Sequence, residues 1–243
     1  MLVTRRVRHG LVRALAAGTD RTDRKPVVLL PGLGAPGYLV DTLHGCAASA
    51  ASFLLDVPGF GAGPMACEPE LGALVDVVTG WLSDVLDRPA TLFGHSTAAQ
   101  VAMTVAARRP ELVGALVLAG PTFPPPLRHL GRLSVALLRD LVHESPAALP
   151  GTVPYYLRAG PRRLLRLIES AQQDEPERVM PFVRCPVLVL RGRRDTLSPQ
   201  GWARSLADAA VHGSLVTVPG AHTFPAIAGG LTSRLITEFG DSG

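Results

Sequence analysis

Cysteine is scarce in this chain of 243 residues: there are three, Cys46, Cys67 and Cys185. Odd in number, widely spaced and without a C-x-x-C pair, they suggest neither a disulfide framework nor a zinc site, and they fit a reducing cytoplasm. Aromatic residues make up only 5% of the chain, too few for the stacking platforms that hold single-stranded nucleic acid. The net charge of +4 comes from dispersed arginines, with Lys25 the single lysine, so nucleic acid is set aside as a partner. Long apolar runs are also missing, and no span approaches the roughly 18 residues of a membrane helix. Residues Met1 to Gly18 are arginine-rich and then mildly apolar. Arg8 and Arg13 interrupt them, which removes the apolar core of about 7–15 residues that an export signal needs. The seven histidines are scattered with no H-x-x-x-H pair, so no metal is expected. No tract is repetitive or low in complexity.

What the chain does have is apolar bulk: 47% of its residues are hydrophobic, ample for one buried parallel sheet. Within it, Ala90-Thr91-Leu92-Phe93 reads as a short strand, a helical pattern starts near Ala98, and Gly94-His95-Ser96-Thr97-Ala98 joins the two. A turn that tight needs small residues around it and lifts the serine hydroxyl above the end of the sheet. Ser96 is therefore the candidate nucleophile. The bland reading is an ordinary strand-to-helix turn, since a small-x-Ser-x-small stretch also arises by chance.

The pentapeptide resembles the nucleophile elbow G-x-S-x-G of the α/β-hydrolase family, with Ala98 in place of the last glycine. The resemblance implies a triad in the order serine, acid, histidine, the acid after a late strand and the histidine after the last one. Pro186 to Arg191 reads as a buried strand, and Gly192-Arg193-Arg194-Asp195 after it resembles the family's G-x-x-D turn; Asp195 is the candidate orienting acid. Ser214 to Val218 reads as another strand, and Pro219-Gly220-Ala221-His222 follows, making His222 the candidate base. Taken singly, an aspartate before a helix is often only an N-cap and a loop histidine only a solvated one; order, spacing and strand context join them.

A tetrahedral intermediate also needs amides preorganised for its oxyanion. Val27 to Leu30 reads as the first parallel strand and runs into Pro31-Gly32-Leu33-Gly34, where the family commonly has His-Gly before a residue whose amide faces the site. Leu33 matches that residue, and Thr97, next after Ser96, is the second donor; Pro31 replaces the histidine. The same stretch supports a rival, because Gly32-Leu33-Gly34-Ala35-Pro36-Gly37 fits the dinucleotide-binding pattern G-x-G-x-x-G, with Asp56 about twenty residues further on. Against it, Pro36 lacks an N–H where a helix N-terminus should meet pyrophosphate, and the Ser-Asp-His set goes unexplained. Asp56 to Gly63 resembles the hydrolases' D-x-P-G-x-G-x-S loop, with Gly63 where serine is common, which makes Asp56 structural.

Apolar runs alternate with helical signals at Glu70 to Leu86 and Ala98 to Arg109, and Ala115 to Ala119 reads as a strand. This predicts a mostly parallel, doubly wound α/β sheet covered by helices on both faces; the resemblance implies that the residues before Asp20 form leading antiparallel strands. Residues 1–120 and 182–243 form that core. From Pro121 to Pro181 the alternation stops, leaving Pro124-Pro125-Pro126 and helical patterns at Leu127 to His143 and Pro161 to Gln172; there the family inserts a helical cap, which would roof the serine and define the pocket. Leu133, Leu137, Leu138 and Leu141 would line an apolar pocket or the cap's own core. Arg158, Arg162, Arg163 and Arg166 would meet an acidic substrate or, in the plainer reading, form a solvated face.

The resemblance implies a cofactor-free serine hydrolase acting through an acyl-enzyme on an ester, thioester or activated carbonyl of a small, largely apolar molecule. Serine rather than aspartate at the elbow argues against dehalogenase and epoxide hydrolase chemistry. Carbon–carbon bond hydrolases, cofactor-free perhydrolases and a non-catalytic binding member of the same fold stay open. No membrane partner is expected, and the oligomeric state is not legible.

Overall fold

The structure, a computed structural model, describes residues 1–7, 10–61 and 65–242; Arg8 and Gly63 lie outside the described residues. The strands in chain order are β1 (Leu2–Val7), β2 (Gly10–Ala17), β3 (Val27–Leu30), β4 (Ser52–Asp56), β5 (Ala90–His95), β6 (Val113–Ala119), β7 (Val187–Gly192) and β8 (Gly213–Val218). Among the described residues they form one eight-stranded sheet in the order β1-β2-β4-β3-β5-β6-β7-β8. β2 pairs antiparallel with both β1 and β4, and every later pairing is parallel, so β2 alone runs against the rest. The parallel body is the one expected from the alternation, and the leading antiparallel pair is the one the resemblance implies.

The helices are α1 (Val40–Ala47), α2 (Leu71–Val85), α3 (Thr97–Arg108), α4 (Leu130–Leu141), α5 (Val153–Ala159), α6 (Pro161–Gln172), α7 (Pro176–Val179), α8 (Gln200–Ala209), α9 (Phe224–Ile227) and α10 (Gly229–Ser242). Residues of β3 alternate between two cores. Val28 and Leu30 belong to the buried cluster that contains Trp81 of α2, Val101 of α3 and Leu206 of α8, whereas Val27 and Leu29 belong to the one that contains Leu39, Leu43 of α1 and Ile236 of α10. All four β3 side chains are buried, which is why that strand reads as an unbroken apolar run; each contributes roughly 2 kcal/mol through burial.

The stretch between β6 and β7 differs from the pattern read off its leucines. Instead of one helix from Leu127 to His143, a 3-10 turn at Pro125–Arg128 precedes α4, and extended His129 (φ −104°, ψ 126°) separates them. Pro124, which precedes another proline, is held extended (φ −53°, ψ 152°), because the ring that follows disfavours the helical region. α6 matches its expected bounds at Pro161–Gln172. It docks through Ser170 Oγ, which accepts from the Leu71 amide at 3.0 Å, and through the Ala171 carbonyl, which accepts from Gln100 Nε2 at 2.9 Å.

Candidate active site

Ser96 sits where β5 turns into α3, with φ 57° and ψ −125°. A non-glycine residue held there costs about 1–3 kcal/mol, and the surrounding structure must enforce it. Enforcement starts at the preceding glycine: a Cβ on Gly94 would lie 2.4 Å from the Ala98 carbonyl oxygen, so helix and strand approach closely only because that atom is missing. Ala98 itself is 4% exposed, its methyl buried in the core where the elbow motif has its last glycine. The Ser96 amide still donates to Ala119 O at 2.9 Å, anchoring the turn to β6.

His222, in the loop after β8, brings Nε2 to 2.9 Å from Ser96 Oγ. Its Nδ1 lies 3.1 Å from both carboxylate oxygens of Asp195. Asp195, in the loop after β7, accepts through Oδ1 from the amides of Leu197 at 2.9 Å and Ser198 at 2.8 Å. Asp195 is not a helix N-cap, since α8 begins at Gln200 with Pro199 at its cap; the carboxylate holds its own turn and faces the imidazole as well. Burial alone would push this carboxyl up, but the His222 charge, its hydrogen bond and the Ser198 amide together hold it below the usual aspartate range. Burial likewise opposes a charge on His222, and Asp195 overcomes it, raising that imidazole above its ordinary value. Gly120, at φ +53°, leaves room for the pair: a Cβ there would stand 3.1 Å from Asp195 Oδ2 and from His222 Nδ1.

Thr97 is the first residue of α3, so its amide has no acceptor within the helix. Leu33 adopts φ 45°, and its amide donates to Thr97 Oγ1 at 3.0 Å. The two expected donors therefore meet beside Ser96, with one of them engaged by the other's hydroxyl. Beneath them runs a buried chain that the sequence reading passed over. Gly32 N–H donates to Tyr38 Oη (2.7 Å), Tyr38 Oη donates to His95 Nδ1 (2.7 Å), and His95 Nε2 donates to the His222 carbonyl oxygen (2.9 Å). Burial, then the neighbouring His222, pushes His95 down to about 3, so it stays neutral. His95 stood inside the elbow motif, yet nothing in its spacing marked a partner 57 residues upstream.

Two cavities meet at Ser96. One, of about 50 Å³, is lined by Leu33, Thr97, Phe123, Leu133, Leu137 and Ile168 among others. The second, of about 280 Å³, is lined by His222, Tyr38, Asp140, Glu144, Tyr156 and Thr223 among others. Leu133, Leu137 and Leu141 thus face the site, whereas Leu138 is 66% exposed and lines neither cavity. The arginines do not converge on it. Arg166 pairs with Glu68 and Glu70, Arg158 donates to Phe60 O, and Arg162 and Arg163 are exposed.

The glycine-rich stretch after β3 forms 3-10 turns at Gly32–Gly34 and Pro36–Leu39, and α1 begins only at Val40. The helix N-terminus that a pyrophosphate needs is not adjacent to the glycines. Asp56 is occupied too, by Arg13 at 2.5 Å and the Gly61 amide at 2.9 Å, as a structural residue would be. Among the described residues, no three His, Cys, Asp or Glu side chains gather into a group that could hold a metal ion.

Residues 27–229 match the model of the alpha/beta hydrolase family. A pimeloyl-acyl-carrier-protein methyl ester esterase of Neisseria meningitidis serogroup C is 26% identical over 201 residues, 72% of this chain and 77% of that protein. Among solved structures, a membrane phospholipase A superposes with a TM-score of 0.78 at 21% identity, covering 100% of this chain and 86% of the other. The enol-lactonase from Burkholderia xenovorans gives the same TM-score at 17% identity, covering 98% and 99%.

Proposed function

The chain belongs to the alpha/beta hydrolase family, and on that premise we propose that it is a serine esterase whose catalytic residues are Ser96, His222 and Asp195. The observation that carries the reading is the unbroken contact from Ser96 Oγ to His222 Nε2 at 2.9 Å and from His222 Nδ1 to Asp195 at 3.1 Å. His222 takes the proton of Ser96 as the hydroxyl oxygen attacks the ester carbonyl, and Asp195 fixes the tautomer and stabilises the imidazolium. The Thr97 amide receives the oxyanion. The Leu33 amide joins it once it releases Thr97 Oγ1. His222 then gives its proton to the leaving oxygen, and water, activated the same way, frees the acyl group.

The two cavities assign the halves of the substrate. The leaving oxygen must reach His222, which lines the larger, more polar cavity, so the alcohol half goes there. The smaller cleft holds both oxyanion residues, Leu33 and Thr97, and otherwise apolar walls, so it takes a short acyl chain. Residues 121–181 act as the cap, and its helices α4 and α6 shape this cleft through Leu133, Leu137 and Ile168. A carrier-bound acyl ester is a second reading, favoured by the name of the Neisseria relative and by exposed Arg162 and Arg163 as a docking face for an acidic carrier. The three cysteines are free, which supports the cytoplasm as the compartment.

Labelling with a fluorophosphonate probe tests the reading. The wild type should be labelled and Ser96→Ala should not, with turnover of nitrophenyl esters lower by about 10⁴-fold or more. A fully labelled Ser96→Ala protein would exclude Ser96 as nucleophile. A wild type that is neither labelled nor active would point to the non-catalytic binding member of the fold. A panel of carbon–carbon bond and peroxide-forming substrates separates the remaining chemistries.

A further inference from the structure

Asp140 and Glu144 lie one helical turn apart at the end of α4, outside the strands and loops that carry the triad. Glu144 N donates to Asp140 O at 3.0 Å, extending the helix past Leu141. The residue directly after Asp195 is Thr196, whose amide donates to Asp140 Oδ1 at 3.0 Å and whose hydroxyl donates to the Ala136 carbonyl at 2.8 Å. The residue directly after His222 is Thr223. Its amide donates to Glu144 Oε1 at 2.7 Å, and its hydroxyl bonds the other Glu144 oxygen. Burial and then the neighbouring Glu144 carboxyl push Asp140 up to about 6.

We propose that Asp140 and Glu144 are positioning residues, a latch through which α4 holds the Asp195 and His222 loops in register with Ser96. The proposal rests on reading those three residues as the triad. A helix that only needed to be fastened to the core could use any two donors beneath it; here the two acceptors meet the residue after the acid and the residue after the base. Asp195 and His222 touch at 3.1 Å, and a displacement of about 1 Å in such a contact costs roughly 10²-fold in rate. The same helix contributes Leu133 and Leu137 to the acyl cleft, so a substrate seated against it bears on the segment that braces the triad. The groups facing the pair are Asp195 and Thr196 from the β7 loop, His222 and Thr223 from the β8 loop, and Tyr156 from α5. Both carboxylates favour the charged form of His222, the form it takes during acylation.

The test is the rate of fluorophosphonate labelling measured from about pH 5 to pH 9 on the full chain, with circular dichroism as the folding control. Asp140→Ala should lower the high-pH rate by about 10-fold or more. Asp140→Asn should restore most of it, because an amide oxygen still accepts from Thr196 and the amide nitrogen donates to Glu144. The acid limb of the Asp140→Asn profile should also move to lower pH, since a negative charge beside His222 is gone. Glu144→Gln and Thr223→Val should each slow labelling, and the double variant should be no slower than the worse single one. If Asp140→Ala does not fold, the Asp140→Asn limb and the Glu144/Thr223 cycle decide. Wild-type rates and an unmoved limb in the folded variants, with Ser96→Ala unlabelled, overturn the latch alone; labelling of Ser96→Ala overturns the triad and the latch with it.

Discussion

The side chain of His95 is bonded to the backbone of His222, its Nε2 donating to the carbonyl oxygen at 2.9 Å. Through Tyr38 the same imidazole reaches the Gly32 amide, one residue before the proposed oxyanion donor Leu33. The tautomer follows from the other end of the chain: the His222 carbonyl can only accept, so Nε2 carries the hydrogen of the neutral ring, and Nδ1 accepts from Tyr38. The loop after β3 and the loop after β8 are thereby tied together beneath Ser96.

Tyr38→Phe should break that tie. Removing the hydroxyl leaves the Gly32 amide and His95 Nδ1 buried without partners, at about 1–3 kcal/mol each. We expect a lower urea midpoint with an unchanged slope, and a fall in kcat larger than any rise in KM. An unaltered midpoint would mean that the hydroxyl contributes nothing.

His95 predicts a pH dependence of stability. Its native pKa is pushed down to about 3, below the unfolded value of about 6.5, so between those values the unfolded chain binds the extra proton. Stability is therefore lost as pH falls through that window, by about 2 kcal/mol at pH 5. His95→Gln, whose amide oxygen can still accept from Tyr38, should remove that contribution. The difference between wild-type and variant unfolding free energies, measured at pH 7 and pH 5, isolates it.

Asp195→Asn should leave the fold intact and lower kcat by about 10⁴-fold, because an amide nitrogen facing Nδ1 favours the wrong tautomer of His222. Near-normal turnover in the variant would reduce Asp195 to the residue that shapes its own turn through Leu197 and Ser198.

Activity should rise with pH, since His222 must be neutral to accept the Ser96 proton. Asp195 raises the imidazole's pKa against the opposing effect of burial, so the rise should be centred above the ordinary histidine value of about 6.5. A kcat/KM profile centred below that value would mean that burial outweighs the carboxylate.

Leu133 is 6% exposed and lines the smaller cavity at Ser96, the proposed acyl cleft. Leu133→Ala should lengthen the preferred acyl chain, each further methylene that becomes buried gaining about 0.8 kcal/mol, near 4-fold in kcat/KM. Stability should fall by about 2–5 kcal/mol. Nitrophenyl esters of graded acyl length measure the preference; an unchanged profile would place the acyl chain elsewhere.

Much of this site was legible because its chemistry is written locally. The small residues around Ser96, the apolar runs before Asp195 and His222, and the alternation of strands and helices are all constraints on neighbouring residues, which a sequence displays. The leucines of α4 were legible as apolar but not as oriented: Leu133 and Leu137 face the cleft while Leu138 faces out, a choice made by how the helix rests on the sheet. If the insertion only roofed Ser96 and defined the pocket, a short linker in its place would leave the smallest esters turned over. The contacts of Asp140 with Thr196 and Glu144 with Thr223 give the opposite expectation, a loss of turnover even for the smallest ester.

By itself, then, the sequence determined the α/β sheet, the strand-to-helix turn at Ser96 and the placing of Asp195 and His222 after two later strands, since periodicity and turn chemistry act between residues a few positions apart. Only the tertiary structure decided that Tyr38 would meet His95, and that Asp140 and Glu144 would hold the residues after Asp195 and His222. Those partners lie 57, 56 and 79 residues apart, and their pairing is fixed by the sheet bringing the ends of β3, β5, β7 and β8 to one edge. Buried donors there must find acceptors whatever the distance along the chain.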